Sequence, residues 1–474
     1  MSSEKPLKVL IVGASISGLT LAHCLDRANI DYEVFDGYPV APPVGASICI
    51  FPNGSAVLDQ LGLYESLIAL GKGVDHVWLR LSGGKALRSM ENVNYLEQRA
   101  GYPGNPLPRQ DLIQMLYDHL PDKSKVHAGK EKKVLGVEHL QDGVTLHTAD
   151  GAVARGDLVV GCDGIHSTIR SEMWRIANAV QPGALAEDHS AFASEYRCLF
   201  GISDPVRGVP AGDSHLVTGK PGYLLFTGIN GEVFWFLYQK MDRKYTYPEI
   251  ARFSRQEAEA LALQHLNDPL TDKVTFGDIW KERKTFTLLP MEEGVVKNWH
   301  WGRIAVLGDA AHKVAVNLGQ GGNSAIEDAA ALANSLNSAV KSSPSRNLSF
   351  AELKKALSQY QASRLPRMEK VGKFSMDVCR FQGEEGIINF PLFVTSYWLK
   401  RDPWVDMQAG MARGGMTLDF VPAPKGIAKS KTTPQKQSGI LPMTVGLLWG
   451  FGIVFFVKNS SSSGLWMPKF GLLG

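Results

Sequence analysis

Cysteine is scarce in this chain and badly placed for disulfide or zinc chemistry. The five cysteines in 474 residues, Cys24, Cys49, Cys162, Cys198 and Cys379, are odd in number, far apart and form no CxxC pair. That pattern excludes a disulfide framework and fits a reducing compartment. The twelve histidines contain no HExxH or HxH spacing, so no metal is implied. Net charge is small as well: 50 Lys+Arg against 47 Asp+Glu give +3, too little for a nucleic-acid binder that relies on an overall basic field. With 44% hydrophobic and 20% charged residues, the composition excludes bulk disorder, collagen repeats and a polytopic membrane protein. The start, Ser-Ser-Glu-Lys-Pro, is polar and shows no cleavable signal peptide, so a cytosolic body is expected.

Acidic residues are missing altogether from Val421 to Gly474, where six lysines stand without an acid. The remaining body, Met1 to Phe420, then has 44 basic against 47 acidic groups and is mildly acidic. Residues 421–439 are rich in Pro, Lys and Ser, a linker composition. After them Ile440–Val457 runs for 18 residues without a charge. Spanning a bilayer takes about 17–25 residues, so a single transmembrane helix over 440–458 is expected, followed by a tail at 459–474. The flanking lysines orient the body toward the cytosol. A buried core helix is the other reading of this run.

What is present begins with an apolar run at 7–12, a break at Gly13, an apolar helix pattern at 19–25 and a short strand at 32–35. Strand, glycine turn, helix and strand form one βαβ unit, which requires a parallel sheet and an α/β fold. Further strands are expected at 132–137, 144–148 and 158–161, with a helix at 109–120. Residues 181–290 change character, with aromatic-rich strands at 223–226 and 233–238, and read as a second, sheet-based domain. A buried strand at 303–307 and an Ala-rich helix at 323–340 return to the first pattern. The expected organisation is 1–180 and 291–340 as one interleaved domain, 181–290 as the second, and 341–420 as C-terminal helices. Length alone, at about 150 residues per domain, allows two or three.

Three glycine-bearing turns carry the chemistry. Gly13-Ala-Ser-Ile-Ser-Gly18 follows a strand and opens a helix, the placement of a dinucleotide turn whose backbone N–H groups meet a pyrophosphate. Ser15 replaces the middle glycine with a small side chain, and Asp36 ends the second strand where a carboxylate can accept from ribose hydroxyls. Asp163-Gly164 and Gly308-Asp309 each end a buried strand, the second followed by Gly319-Gln-Gly-Gly322 at a helix start. A glycine-rich helix N-terminus stabilises negative charge on a bound ring.

In combination and order these motifs resemble the group A flavoprotein monooxygenases of the para-hydroxybenzoate hydroxylase-like fold, over about residues 1–340. The resemblance implies a Rossmann-type FAD-binding domain interleaved with a β-sheet substrate domain. It implies that FAD is held by Gly13, Ser15, Gly18, Asp36, Cys49, Arg109, Asp163, Asp309 and Gly322, where Arg109 stands in a Pro-Arg-Gln-Asp-Leu run. GASI at 45–48, Phe51-Pro-Asn-Gly, LDQLGLYE at 58–65 and GQGGNSAIEDAAALAN at 319–334 are similar to fungal paxilline-type epoxidases of indole diterpene and meroterpenoid pathways. Those relatives usually have Glu at Asp36, Gly at Cys49 and Ala at Gly322. Related fungal enzymes also have an Arg and a Tyr as proposed active-site residues, which implies Arg197 and Tyr223 here; packing within strands is the alternative.

With a single dinucleotide fingerprint, assigned to FAD, NAD(P)H is expected as a transient co-substrate alongside O2. The expected function is epoxidation of an olefin on a lipophilic, prenylated small molecule in secondary metabolism, on a membrane such as the endoplasmic reticulum and facing the cytosol. Two alternatives stay open: an aromatic, phenol- or salicylate-type hydroxylase, and a non-catalytic flavin-binding membrane protein.

Overall fold

The computed structural model describes residues 7–43, 46–91, 93–343, 348–383 and 403–426. The expected span at 440–458 and the tail lie outside them, as does the linker beyond Gly426. Among the described residues no helix is long and apolar enough to cross a membrane.

The apolar run Lys8–Val12 and the second strand Asp31–Asp36 are parallel neighbours, joined by the helix Ile16–Arg27. They belong to a six-stranded sheet. Its order is His300–Trp301, Ile304–Val306, Leu158–Gly161, Lys8–Val12, Asp31–Asp36 and Val126–Ala128. The strands are parallel except for the outermost pair at His300–Trp301. Near-continuous apolar composition suits strands covered on both faces, and Val9, Leu10, Ile11, Val159 and Val160 are fully buried. Register does the decisive work. Val12 stands beside Gly161 and Phe35, and Gly161 beside Val306. The carboxyl ends of four neighbouring strands therefore align, where open α/β sheets place their ligands.

An eight-stranded sheet forms the second layer. Its order is His312–Lys313, Arg283–Val295, Ala193–Ser203, Val233–Thr246, Gly222–Thr227, Asp213–Val217, His76–Arg80 and Ala86–Glu91. Two of these strands, His76–Arg80 and Ala86–Glu91, come from the stretch that sequence assigned to the first domain. The cause is the parallel pairing of His76–Arg80 with Asp213–Val217, entered where Gly212 O accepts from Asp75 N at 2.7 Å. Arg283–Val295 likewise runs past residue 290, and His312–Lys313 adds an edge strand from within the returning segment.

The expected strand at 132–137 begins at Val134, because Lys130–Lys132 makes a 3-10 turn after Gly129, whose φ is +130°. The Ala-rich helix extends over Gly321–Ser342 and the C-terminal region is dominated by one long helix, Phe350–Gln382. That helix opens on a reciprocal cap between Ser349 and Glu352.

Candidate active site

The aligned strand ends bring the three turns together. Gly13 N donates to Phe35 O at 2.7 Å, Cys162 N to Val12 O at 2.7 Å and Leu307 N to Gly161 O at 3.0 Å. Gly13 has φ +112° and its missing Cβ would lie 2.3 Å from Cys162 O, so neither its conformation nor its neighbour admits a side chain. Asp36 braces the same turn: Oδ2 accepts from Ala14 N at 2.6 Å and Oδ1 from Tyr38 N at 2.8 Å. Burial pushes its carboxyl up, and those two N–H groups pull it back.

Ser15 is the N-cap residue of the helix Ile16–Arg27, yet its side chain makes no cap bond. Its Oγ instead accepts from Arg109 Nη2 at 2.6 Å. Burial lowers the Arg109 pKa while Asp309 opposes that shift, so Ser15, Arg109 and Asp309 gather at one place although they are distant in sequence. Asp309 is one-third exposed and paired with Lys313 Nζ.

Asp163 is committed to its own turn. It accepts from Ser167 Oγ and from Ile169 N, the latter at 3.0 Å, and so fixes the start of the helix Thr168–Val180. The sequence reading missed the residue that uses this helix, Arg170. It is almost fully buried, donates to Ala310 O at 2.8 Å and to Ile165 O, and thereby ties the Asp163 turn to the Asp309 turn. Its guanidinium lies 5.2 Å from the Trp174 ring and 4.7 Å from that of Phe192. A signal existed: Arg170 interrupts an otherwise apolar stripe with Met173, Trp174 and Ala177.

The fourth component is the loop before the Ala-rich helix. Gly319 has φ +65°, and a Cβ there would lie 2.6 Å from the Phe51 ring. Asn323 clamps this loop against the strand Ser47–Ile50: its Nδ2 donates to Cys49 O and Gly319 O, and its Oδ1 accepts from Phe51 N. Cys49 thus contributes a backbone carbonyl, and burial pushes its thiol up, which removes it as a nucleophile. Behind the loop lies a buried ionic network. Asp328 accepts from Gly308 N, His312 and Arg364, while Glu327 accepts from Arg364, Arg367 and Asn53. Asn53 also donates to Gln320 Oε1 at 2.9 Å, reaching the N-cap of the Ala-rich helix.

Arg197 and Tyr223 are not brought to this place. Register puts Leu199, Leu237 and Tyr223 in one row across the large sheet, with Arg197 beside Gln239 on the same face. That face is covered by the helices Arg255–Gln264 and Phe276–Lys281. Tyr223 donates to Asp268 Oδ2 at 2.6 Å and packs on Phe276; burial and that carboxylate raise its pKa far above the usual phenol range. Arg197 donates twice to Gln239 Oε1. In this structure both side chains pack on the far face of the sheet. Tyr223→Phe is expected to lower stability by about 1 kcal/mol and leave kcat/KM unchanged, checked by thermal unfolding and steady-state rates.

The opposite face meets the loop. Tyr196, Cys198, Leu216, Leu224 and Tyr238 cluster there with Ala315 and Cys379, and with half-buried Phe200, Phe226 and Phe236. Leu289, level with Cys198, is 49% exposed.

The fit to FAD can be judged on these features. Two long helices, Ile16–Arg27 and Gly321–Ser342, begin at this site with no side-chain cap bond, each behind a glycine turn. Free N–H groups and positive dipole ends suit a pyrophosphate and an electron-rich ring. Gly13, Gly18, Asp36, Arg109, Asp163, Asp309 and the Gly319–Gly322 loop all lie around them, so the residues fit the cofactor.

Comparison with known proteins agrees. A family model described as an FAD binding domain matches residues 6–177 and 237–375. The FAD-dependent monooxygenase janM of Penicillium janthinellum is 38% identical over 428 residues, 89% of this chain and 87% of that protein. The FAD-dependent monooxygenase penE of Penicillium thymicola is 36% identical over 478 residues, 97% of this chain and 99% of that protein. HpxO of Klebsiella pneumoniae, solved with FAD and uric acid, superposes with a TM-score of 0.68 at 22% identity, covering 86% of this chain and 97% of that chain, a likeness of fold. By sequence and by the three-turn site it builds, the chain belongs to the group A FAD-dependent monooxygenases, among their fungal members.

Proposed function

We propose that this monooxygenase epoxidises an olefin on a prenyl-derived chain, using NAD(P)H and O2, in fungal secondary metabolism. The balance is one olefin, O2, NAD(P)H and a proton giving the epoxide, NAD(P)+ and water. FAD, held by the three turns and the Gly319–Gly322 loop, would supply the redox chemistry between NAD(P)H and O2. The protein's part is to hold the cofactor, to exclude water and to present an electron-rich double bond.

The observation that carries the reading is the face of the large sheet turned toward the Gly319–Gly322 loop. Phe200, Phe226 and Phe236 are only half buried there, and Leu289 is half exposed. Apolar side chains left uncovered against a cofactor loop suit an apolar substrate. Tyr238, Asn317 and Gln382, which hydrogen-bond one another there, are neutral, which suits an uncharged substrate. The charge-free run at 440–457 supports a further part of the proposal. A single membrane span there, with the body on the cytosolic face, holds the enzyme where a lipophilic substrate accumulates.

The test is NADPH oxidation by the full-length holoenzyme with a farnesylated arene and, separately, with a simple phenol. The expected result is oxidation with the first, giving a product heavier by one oxygen in which an oxirane proton replaces an olefinic one. Ring hydroxylation of the phenol with no reaction of the farnesyl chain would sink the reading.

A further inference from the structure

Asn317 occupies the 3-10 turn Val316–Leu318, between the inner apolar face and Gly319. It is 2% exposed, and its partners are two other buried side chains. Its Nδ2 donates to Gln382 Oε1 at 2.6 Å, and the Tyr238 hydroxyl donates to the same oxygen at 3.2 Å. Gln382 O in turn accepts from Gly219 N at 3.1 Å, which anchors the end of the long helix to the sheet. An oxygen already taking two donors fixes which way the Asn317 amide points. The amide oxygen, Oδ1, is then left buried without a hydrogen-bond partner. Buried acceptors are ordinarily satisfied, and an orphan beside a binding face is an exception with a cost.

Two further features give that oxygen a place in the site. Ala315, two residues before it, packs in the inner-face cluster with Leu224, Tyr238, Phe200, Phe226 and Phe236. Gly319, two residues after it, is clamped by Asn323 into the cofactor loop. Asn317 is therefore the polar group at the seam where an apolar chain on the sheet would approach the flavin loop. Its unmet need is a hydrogen-bond donor.

We infer that Asn317 is a specificity-determining residue whose Oδ1 accepts a hydrogen bond from an O–H or N–H on the substrate's head group, with Tyr238 and Gln382 orienting the amide. The inference rests on the apolar-substrate reading above and sharpens it. The substrate class becomes an apolar, prenyl-bearing molecule whose head group carries one free hydrogen-bond donor, a hydroxyl or an N–H. The prenyl chain lies along the phenylalanines and the donor sits on Asn317. Tyr238 and Gln382 act through Asn317 and are positioning residues.

The experiment uses the full-length holoenzyme and two probes: a farnesylated phenol, and the farnesylated benzene that lacks only the hydroxyl. Binding is read from perturbation of flavin absorption during titration, independently of turnover, and products are read by mass and proton spectra. The phenol is expected to bind roughly tenfold more tightly although it is the less hydrophobic probe. Asn317→Ala should equalise the two affinities, raise KM for the phenol with little change in kcat, and leave flavin content unchanged. Equal binding of the two probes to the unaltered enzyme overturns the inference and needs no variant to fold. Preference surviving in Asn317→Ala, or loss of flavin from it, also overturns it. Tighter binding of the phenol without any epoxide leaves the anchor standing and removes the epoxidation reading, whereas epoxidation of both probes with equal affinity does the reverse.

Discussion

Gly18→Ala is expected to purify without flavin. A Cβ at Gly18 would lie 1.8 Å from Gly13 O, a backbone atom with nowhere to go. Gly13 is itself pinned, its N–H donating to Phe35 O and its own missing Cβ facing Cys162 O. The helix Ile16–Arg27 would have to lift off the sheet, which carries its N-terminal N–H groups away from the pyrophosphate position. Overpacking of this kind costs about 1–3 kcal/mol in stability, but displacement of the cofactor cradle is the larger effect. The measurement is the ratio of flavin to protein absorbance after gel filtration. Gly410→Ala is the control: that glycine lies in the helix Pro403–Arg413 with open space around it, so the same substitution should retain flavin.

Arg364→Ala is expected to be the most destabilising single change. Arg364 has no exposed side-chain surface and bonds Asp328, Glu327 and the Ser324 carbonyl. Removing it leaves two buried carboxylates short of a counter-charge, a loss of about 3–5 kcal/mol. For a chain of this size that corresponds to a fall of about 3–5 °C in Tm, read by differential scanning calorimetry. Burial raises the Asp328 carboxyl, but His312 and Arg364 outweigh it and hold the group near 2. Because its folded pKa is depressed, its stabilising contribution is full above the ordinary carboxylate value near 4 and is lost as pH falls toward 2. Arg364→Ala should therefore also flatten the acid limb of the stability profile. Glu172→Gln, which weakens a pair with the exposed Arg175 guanidinium, should shift Tm less.

The flavin site was readable because its parts are local. Each of the three turns has its own glycines, and each directly follows an apolar strand, so their approximate positions needed no knowledge of the fold. Their meeting point follows from parallel register alone, Val306 beside Gly161 beside Val12 beside Phe35. The departures at Asp36, Cys49 and Gly322 are also accommodated physically. Asp36 still reaches two backbone N–H groups, Cys49 acts through its carbonyl, and a Cβ at Gly322 would meet Ile48 Cδ1 at 2.5 Å.

The second domain was less legible. Alternation along a strand shows that two faces exist, not which one meets the cofactor, and Arg197 and Tyr223 lie on the face covered by helices. Their neighbours Cys198 and Leu224 face the loop instead. The strand at His76–Arg80 joined the large sheet through a parallel partner far along the chain, a pairing with no local signature. The ionic network was hidden for the same reason. Glu327 and Asp328 look like ordinary polar positions of a helix until Arg364, a helix away, is placed against them.

The proposed transfer of one atom of O2 to an isolated double bond is tested most directly by turnover of the farnesylated phenol under 18O2 in ordinary water. One 18O in the oxirane ring, none elsewhere and one NADPH consumed per product is the result expected. Label on the aromatic ring, or a product whose added oxygen comes from water, would contradict the account.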